Sequence, residues 1–161
     1  MIHFRRVNDL DARGLADLLN GILRHRYGAA NDGPVTPAMM LHRFVTRPKS
    51  SAWHLAEADS GLTLGLQTIE PCAALPPDSC DIATFLRPGQ SMADVGARLF
   101  DVTRKSAHRL GYARINATLH ADNRDANTYY QSRGFETCGF HSDQDLGHEK
   151  STNRILKRFD L

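Results

Sequence analysis

Asn123-Arg124-Asp125-Ala126-Asn127-Thr128-Tyr129-Tyr130-Gln131-Ser132-Arg133-Gly134-Phe135 reads as a short helix with its start, its face and its stop written into it. Asn123 is a preferred cap, because its side-chain oxygen accepts from an N–H that has no partner inside the first turn. Its amide nitrogen stays available to a ligand. Ala126 leaves room for close approach of another chain or ligand, and Tyr130 lies one turn further along the same face. Gly134 supplies the left-handed geometry that ends a helix, and Phe135 returns the chain to the core. The spacing predicts a helix over about 124–132. Tyr129 points elsewhere on that helix and is read as packing.

The flanking segments extend the pattern in both directions. A strand is expected over 113–119, before the quoted stretch, and two more over 135–141 and 153–159, joined by a polar loop at 142–151. A long helix is expected over about 93–110, with Val95, Leu99, Val102, Ser106 and Leu110 along one side and Gly111 as its terminator. Before it, 81–86 is a short buried strand. The runs 53–58 and 62–70, joined at Asp59-Ser60-Gly61, read as a hairpin. Near the N-terminus, a strand ending at Val7 leads to a cap at Asn8-Asp9 and a helix over about 9–23. Thr36-Pro37 opens a second helix. The order β-α-α-β-β-β-α-β-α-β-β predicts a mixed α/β (α+β) fold. Its central sheet would have six to seven strands, flanked by about four helices in one domain, 1–161.

Composition narrows the function classes. The 161 residues are 41% hydrophobic and 24% charged, a balance that buries one core rather than leaving the chain disordered. No apolar run approaches the roughly 20 residues of a membrane span. The start of the chain lacks the apolar core of a signal peptide, so a cytoplasmic protein is expected. A net charge of +2, with the basic residues scattered, argues against a nucleic-acid partner. Three cysteines without CxxC spacing suit a reduced protein, and eight histidines without an HExxH-like pair give no metal site.

The quoted stretch resembles the Asn-x-x-Ala-x-x-x-Tyr-x-x-x-Gly-Phe pattern that members of the GNAT N-acetyltransferase family carry after their fifth strand. Asn123, Ala126, Tyr130, Gly134 and Phe135 fall in register. The wider resemblance covers nearly the whole chain and is nearest to amino-acid and phosphinothricin N-acetyltransferase-like members, whose early helix carries an asparagine, as Asn20 does here. It implies transfer of an acetyl group from acetyl-CoA to a primary amine of a small, amino-acid-like molecule, by direct attack and without a metal. It also implies that N–H donors near Phe85 and Leu86 bind the thioester carbonyl, that Asn123 and Ala126 contact the cofactor, and that Tyr130 protonates the departing thiolate. Asp81, at the start of the fourth strand, and Glu70, near the end of the third, are the candidate bases. Homodimers, often built through the last strands, are a habit of the family.

One segment departs from the family. Where Gln/Arg-x-x-Gly-x-Gly/Ala is expected to hold pyrophosphate, the chain reads Ser91-Met92-Ala93-Asp94-Val95-Gly96, and only Gly96 keeps its type. Asp94 brings negative charge toward an anion. Three readings follow. Asp94 caps the helix and leaves the N–H groups of Val95, Gly96 and Ala97 to the phosphates. The site is weak and helped by Arg87, Arg98 or Arg104. Or the fold is a catalytically impaired module that binds an acyl-CoA or a protein. A further alternative is a protein or aminoacyl-tRNA amine as acceptor. The acceptor itself depends on loops 27–34 and 71–79.

Overall fold

Asn8 opens the first helical segment, as its side chain and position predict. Its Oδ1 accepts from the Leu10 N–H at 2.9 Å, and Asp11 reaches back to the Asn8 N–H at 2.8 Å, so two donors without intrahelical partners are satisfied reciprocally. A 3-10 turn, Asp9–Asp11, leads into α1 (Ala12–Tyr27). That helix runs a turn beyond the expected 23. Arg24-His25-Arg26 carries no apolar periodicity to read, yet its charges favour a helix C-terminus. Gly28, at φ 70°, ends it. Thr36 caps α2 (Pro37–Val45), accepting from the Met39 N–H at 3.1 Å.

The remaining elements of this computed structural model, which describes residues 1–28, 34–141 and 153–161, keep the expected order. The strands are β1 (Ile2–Arg6), β2 (Ala52–Ala58), β3 (Thr63–Pro71), β4 (Ser79–Leu86), β5 (Arg114–His120), β6 (Glu136–His141) and β7 (Arg154–Asp160). Two helices, α3 (Ala97–Arg109) and α4 (Arg124–Ser132), complete the set. The loop expected at 142–151 lies outside the described residues, as does most of the one before α2. Among the described residues, no helix is long and apolar enough to cross a membrane.

All seven strands form one sheet in the order β1-β2-β3-β4-β5-β7-β6. Every neighbouring pair is antiparallel except β4 and β5, which α3 joins as a parallel crossover. Alternation along the strands sends residues to two cores. Trp53, Leu55 and Leu66 pack with Leu15, Leu18 and Met40 under α1 and α2. Ile69, Cys80, Ile82 and Ile115 pack with Phe100, Tyr129, Tyr130 and Phe135 under α3 and α4. On β4 this places 81, 83 and 85 toward α1 and α2, and 82, 84 and 86 toward α3 and α4.

The β4–β5 ladder is short. It pairs Ser79, Cys80 and Asp81 with Arg114, Ile115 and Asn116 and ends there. Beyond Asp81, β4 keeps its pairing with β3 as far as Leu86. The sheet therefore opens on one side of β4 alone.

Candidate functional site

A cleft of about 550 Å³ lies at this opening. Its walls come from Thr84, Phe85 and Leu86 of β4, the apolar side of α1 with Val35, and Met92, Asn123 and Ala126 on the other flank. Arg26 and Arg43 supply cations at the α1–α2 side, with His25 beside them, and Asp125 an anion beside Asn123. The cleft thus passes from one face of the sheet to the other.

Backbone donors face it. The Arg87 N–H donates to the Leu64 carbonyl at 2.8 Å, and antiparallel strands turn successive residues' polar groups to alternate edges. Phe85, two residues earlier, likewise faces β3, whereas Thr84 and Leu86 turn their N–H groups toward the gap. Of the two donors expected near Phe85 and Leu86, only Leu86 faces the opening. Thr84 joins it, and Phe85 contributes its ring to the α1 side of the cleft.

Asn123 serves as the cap the sequence predicts, accepting from the Ala126 N–H at 3.1 Å, and it also borders the cleft. Tyr130 is 6% exposed and wedged against Phe135 at 5.0 Å between ring centres. Its hydroxyl meets Thr84 Oγ1 at 2.8 Å. Burial drives its pKa well above the ordinary phenol value, and the Thr84 hydrogen bond opposes that shift. Tyr129 is equally buried but polar in its work. Its hydroxyl donates to the Gly96 carbonyl at 2.7 Å and accepts from Gln67 Nε2 at 3.1 Å. Burial pushes its pKa up to about 12. Reading Tyr129 as simple packing missed this. Helical spacing gives one buried face, but α4 sits in a corner between the sheet and the segment before α3, so two faces are covered.

That segment corrects another expectation. The helix predicted from 93 starts as a π-helical turn, Met92–Gly96, that runs on into α3. Its cap is Ser91, whose hydroxyl accepts from the Asp94 N–H at 3.2 Å; Asp94 does not cap. The Val95 and Gly96 N–H groups return to the Ser91 carbonyl at 2.9 and 3.4 Å, and the Ala97 N–H to the Asp94 carbonyl. These three donors, expected to be free, are used inside the turn. Only the N–H groups of Met92 and Ala93 precede any internal acceptor. Gly96 owes its type to packing: a Cβ there would stand 2.9 Å from Tyr129 Cε2. Gly96→Val should therefore destabilise the protein by about 2–3 kcal/mol through overpacking against a pinned ring. A lowered thermal midpoint checks this, and an unchanged one would mean that the ring yields.

None of the three arginines proposed as helpers lines the cleft. The exposed Arg98 guanidinium stands 4.5 Å from the Phe4 ring centre. Arg87 Nε donates to the Thr63 carbonyl at 2.8 Å, and Arg104 borders a separate cavity beside Phe159. Asn20 spends both ends of its amide on Val35, at 2.8 and 2.7 Å, fastening α1 to the segment before α2.

Asp81 stands at the fork, where the β4–β5 ladder ends. Its Oδ1 accepts from Asn116 Nδ2 at 2.9 Å. Its pKa is raised, chiefly by burial and further by Glu70, with the Asn116 hydrogen bond pulling the other way. Glu70 is its direct cross-strand partner on β3 and accepts from Trp53 Nε1 at 2.9 Å. Neither carboxylate borders the cleft as bounded above; both lie beside it on the α1–α2 face. Among the described residues, no group of three His, Cys, Asp or Glu side chains is arranged to hold a metal.

No protein-family model and no curated protein matches the sequence. Solved structures do match. An N-acetyltransferase from Staphylococcus aureus Mu50 superposes with a TM-score of 0.83 at 15% identity, covering 99% of this chain and 98% of that one. Ribosomal-protein-alanine N-acetyltransferase from Brucella melitensis gives 0.83 at 16%, with 99% of each chain covered. A GNAT superfamily phosphinothricin acetyltransferase from Sinorhizobium meliloti, in complex with acetyl-CoA, gives 0.81 at 16%, covering 99% of this chain and 88% of that one. The chain has the GNAT fold. Within that fold, the opening between β4 and β5 is lined by residues that the sequence marked, Phe85, Leu86, Asn123 and Ala126, and by Thr84, which it did not.

Proposed function

We propose that this GNAT-fold chain is an N-acyltransferase that moves an acetyl group from acetyl-CoA to the primary amine of a small, amino-acid-like molecule. One observation carries the reading. β4 parts from β5 at Asp81, turning the N–H groups of Thr84 and Leu86 into a cleft that has Tyr130 behind it and a carboxylate pair beside it.

The residues present fit a pantetheine chain. Leu86, Met92 and Ala126 offer apolar walls, and the Asn123 amide nitrogen has no partner among the described residues while its oxygen caps α4. At the pyrophosphate end the fit rests on fewer donors, those of Met92 and Ala93 at the start of the turn. When bound, acetyl-CoA supplies an activated thioester. The chain's own part is electrostatic and protonic. Thr84 and Leu86 N–H groups stabilise charge on the carbonyl oxygen. Tyr130 is the source of the proton needed at the departing sulfur. Asp81, with its raised pKa, takes the proton from the incoming ammonium, and Glu70 opposite supports that shift. Residues 81 and 84 face opposite sides of β4. The amine therefore enters from the α1–α2 side, and the thiol leaves on the α4 side. Arg26 and Arg43 on the amine side favour an acceptor that carries a carboxylate.

Asp81→Asn should lower turnover by on the order of 10²-fold. It should also abolish the rise in rate that the wild type shows as pH climbs through the raised Asp81 pKa, read from the pH profile of thiol release. An unchanged profile would pass the role to Glu70. We also assign the chain to the cytoplasm as a single domain, and the 72% exposed Phe140 on edge strand β6 supports pairing of two copies through the last strands.

One observation favours a second reading, a GNAT-fold module without turnover: the N–H groups of Val95, Gly96 and Ala97 are already spent, and Asp94 is exposed beside them. Calorimetric titration with acetyl-CoA tests the cofactor site common to enzyme and acyl-CoA-binding module. One-to-one binding supports it, and absence of binding heat at any temperature removes the enzyme reading.

A further inference from the structure

Tyr130 does not border the cleft; Thr84 does. We propose that Thr84 is the residue that delivers the proton to the departing thiolate, with Tyr130 as the reservoir behind it. This inference rests on the acyltransferase reading of the same cleft and assigns its thiol side a two-hydroxyl relay.

The hydrogen-bond directions follow from counting protons. Tyr129 has one hydroxyl proton and gives it to the Gly96 carbonyl, 2.7 Å away. The Gln67 atom at 3.1 Å from the same hydroxyl must then be a donor, which fixes it as the amide nitrogen. That nitrogen also donates to Thr84 Oγ1 at 2.8 Å. One lone pair of Thr84 is thus occupied by a buried amide, itself fully enclosed and held by Tyr129. Thr84 Oγ1 has one lone pair and one proton left. Either hydroxyl can donate across the 2.8 Å to Tyr130; in the relay Tyr130 donates, since its own proton is buried with no other acceptor among the described residues, and the Thr84 proton is left for the cleft.

The step balances. As the carbon–sulfur bond breaks, the Thr84 Oγ–H bond breaks and an S–H bond forms. The Tyr130 O–H proton moves to Thr84 Oγ, leaving a tyrosinate. The proton surrendered by the attacking amine returns through solvent to Thr84 and along the same hydroxyl pair to Tyr130. Gln67 holds Thr84 in line without exchanging a proton. It is a positioning residue.

The relay also accounts for placing the phenol within the aromatic cluster of Phe100, Phe135 and Phe159, where it is shielded from the cleft. Thr84, on the open strand, stands between that phenol and the cleft.

The test uses the full chain with three variants. Thr84→Val keeps the shape and removes the hydroxyl; Thr84→Ser restores it; Tyr130→Phe removes the reservoir. We expect Thr84→Val to lower kcat by about 10²-fold, with little change in KM for acetyl-CoA, and Thr84→Ser to recover most of the loss. The double variant should be no slower than the slower single one, because both belong to one path. In the free protein, the Tyr130 Cζ NMR resonance should shift in Thr84→Val and stay in place in Thr84→Ser, which reads the hydroxyl pair without turnover. In mixtures of light and heavy water, the wild-type rate should curve as two protons in flight require. Full kcat in Thr84→Val alongside a crippled Tyr130→Phe would overturn the relay and leave the acyltransferase reading standing. No thiol release from the wild type with any amine would overturn both.

Discussion

Tyr130→Phe is expected to reduce acetyl transfer by roughly 10²- to 10⁴-fold, the range over which a positioned general acid contributes. The loss should fall on kcat, because the phenol sits behind Thr84 and does not border the cleft. Folding should be nearly unaffected. The ring keeps its contact with Phe135, and the only group removed is a hydroxyl whose partner, Thr84 Oγ1, retains the Gln67 hydrogen bond. Single-turnover thiol release measures the chemical step. A variant with wild-type kcat would exclude Tyr130 from proton transfer.

The second large effect concerns stability below neutral pH. His54 on β2 is 4% exposed; its Nε2 lies 3.1 Å from Ser106 Oγ, and its Nδ1 has no partner among the described residues. Burial, with Arg6 and Arg109 nearby, lowers its pKa from 6.5 to about 4. In the unfolded chain the ring protonates near 6.5, so between these values the unfolded state binds the extra proton. The contribution is therefore complete above pH 6.5 and is lost as pH falls toward 4, at a cost of about 3 kcal/mol. That is a large share of the 5–15 kcal/mol typical of a domain. Asp81 acts in the opposite sense, since its raised pKa makes the folded state the better proton acceptor above the ordinary carboxylate range. Urea midpoints of wild type and His54→Gln at pH 7 and pH 4.5 separate the terms. The variant should lose much less between the two values, and an equal loss would clear His54.

The legible part of the fold is the part with local signals. The capped helix from Asn123 to Gly134 could be read because cap, face and terminator lie within one short stretch, and the structure keeps all three. Gly96 could be marked, but for a different reason: what excludes a side chain there is the Tyr129 ring, which arrives from thirty-three residues away. The Ser91 cap was hidden because Ser91 and Asp94 are comparable caps by type, and the π-helical turn that decides between them leaves no periodic trace. Thr84 and Gln67 were missed altogether. Each is a polar residue in a strand with no motif around it, and they meet only because the β3–β4 register sets them directly opposite. With loop 72–78 between the strands, no turn signal gives that register in advance. Had it been known, a pair of polar residues facing each other inside a buried sheet would have called for a partner. Tyr129 and Tyr130 provide it.

The most direct test of the central claim is amine-dependent thiol release from acetyl-CoA, followed with a panel of amino acids, polyamines and peptides terminating in alanine. The account predicts release that requires both the protein and an amine, is greatest for an acceptor that carries a carboxylate, and collapses in Tyr130→Phe. Tight binding of acetyl-CoA with no release above the uncatalysed rate for any amine would contradict it, and would leave a GNAT fold that holds the thioester without using it.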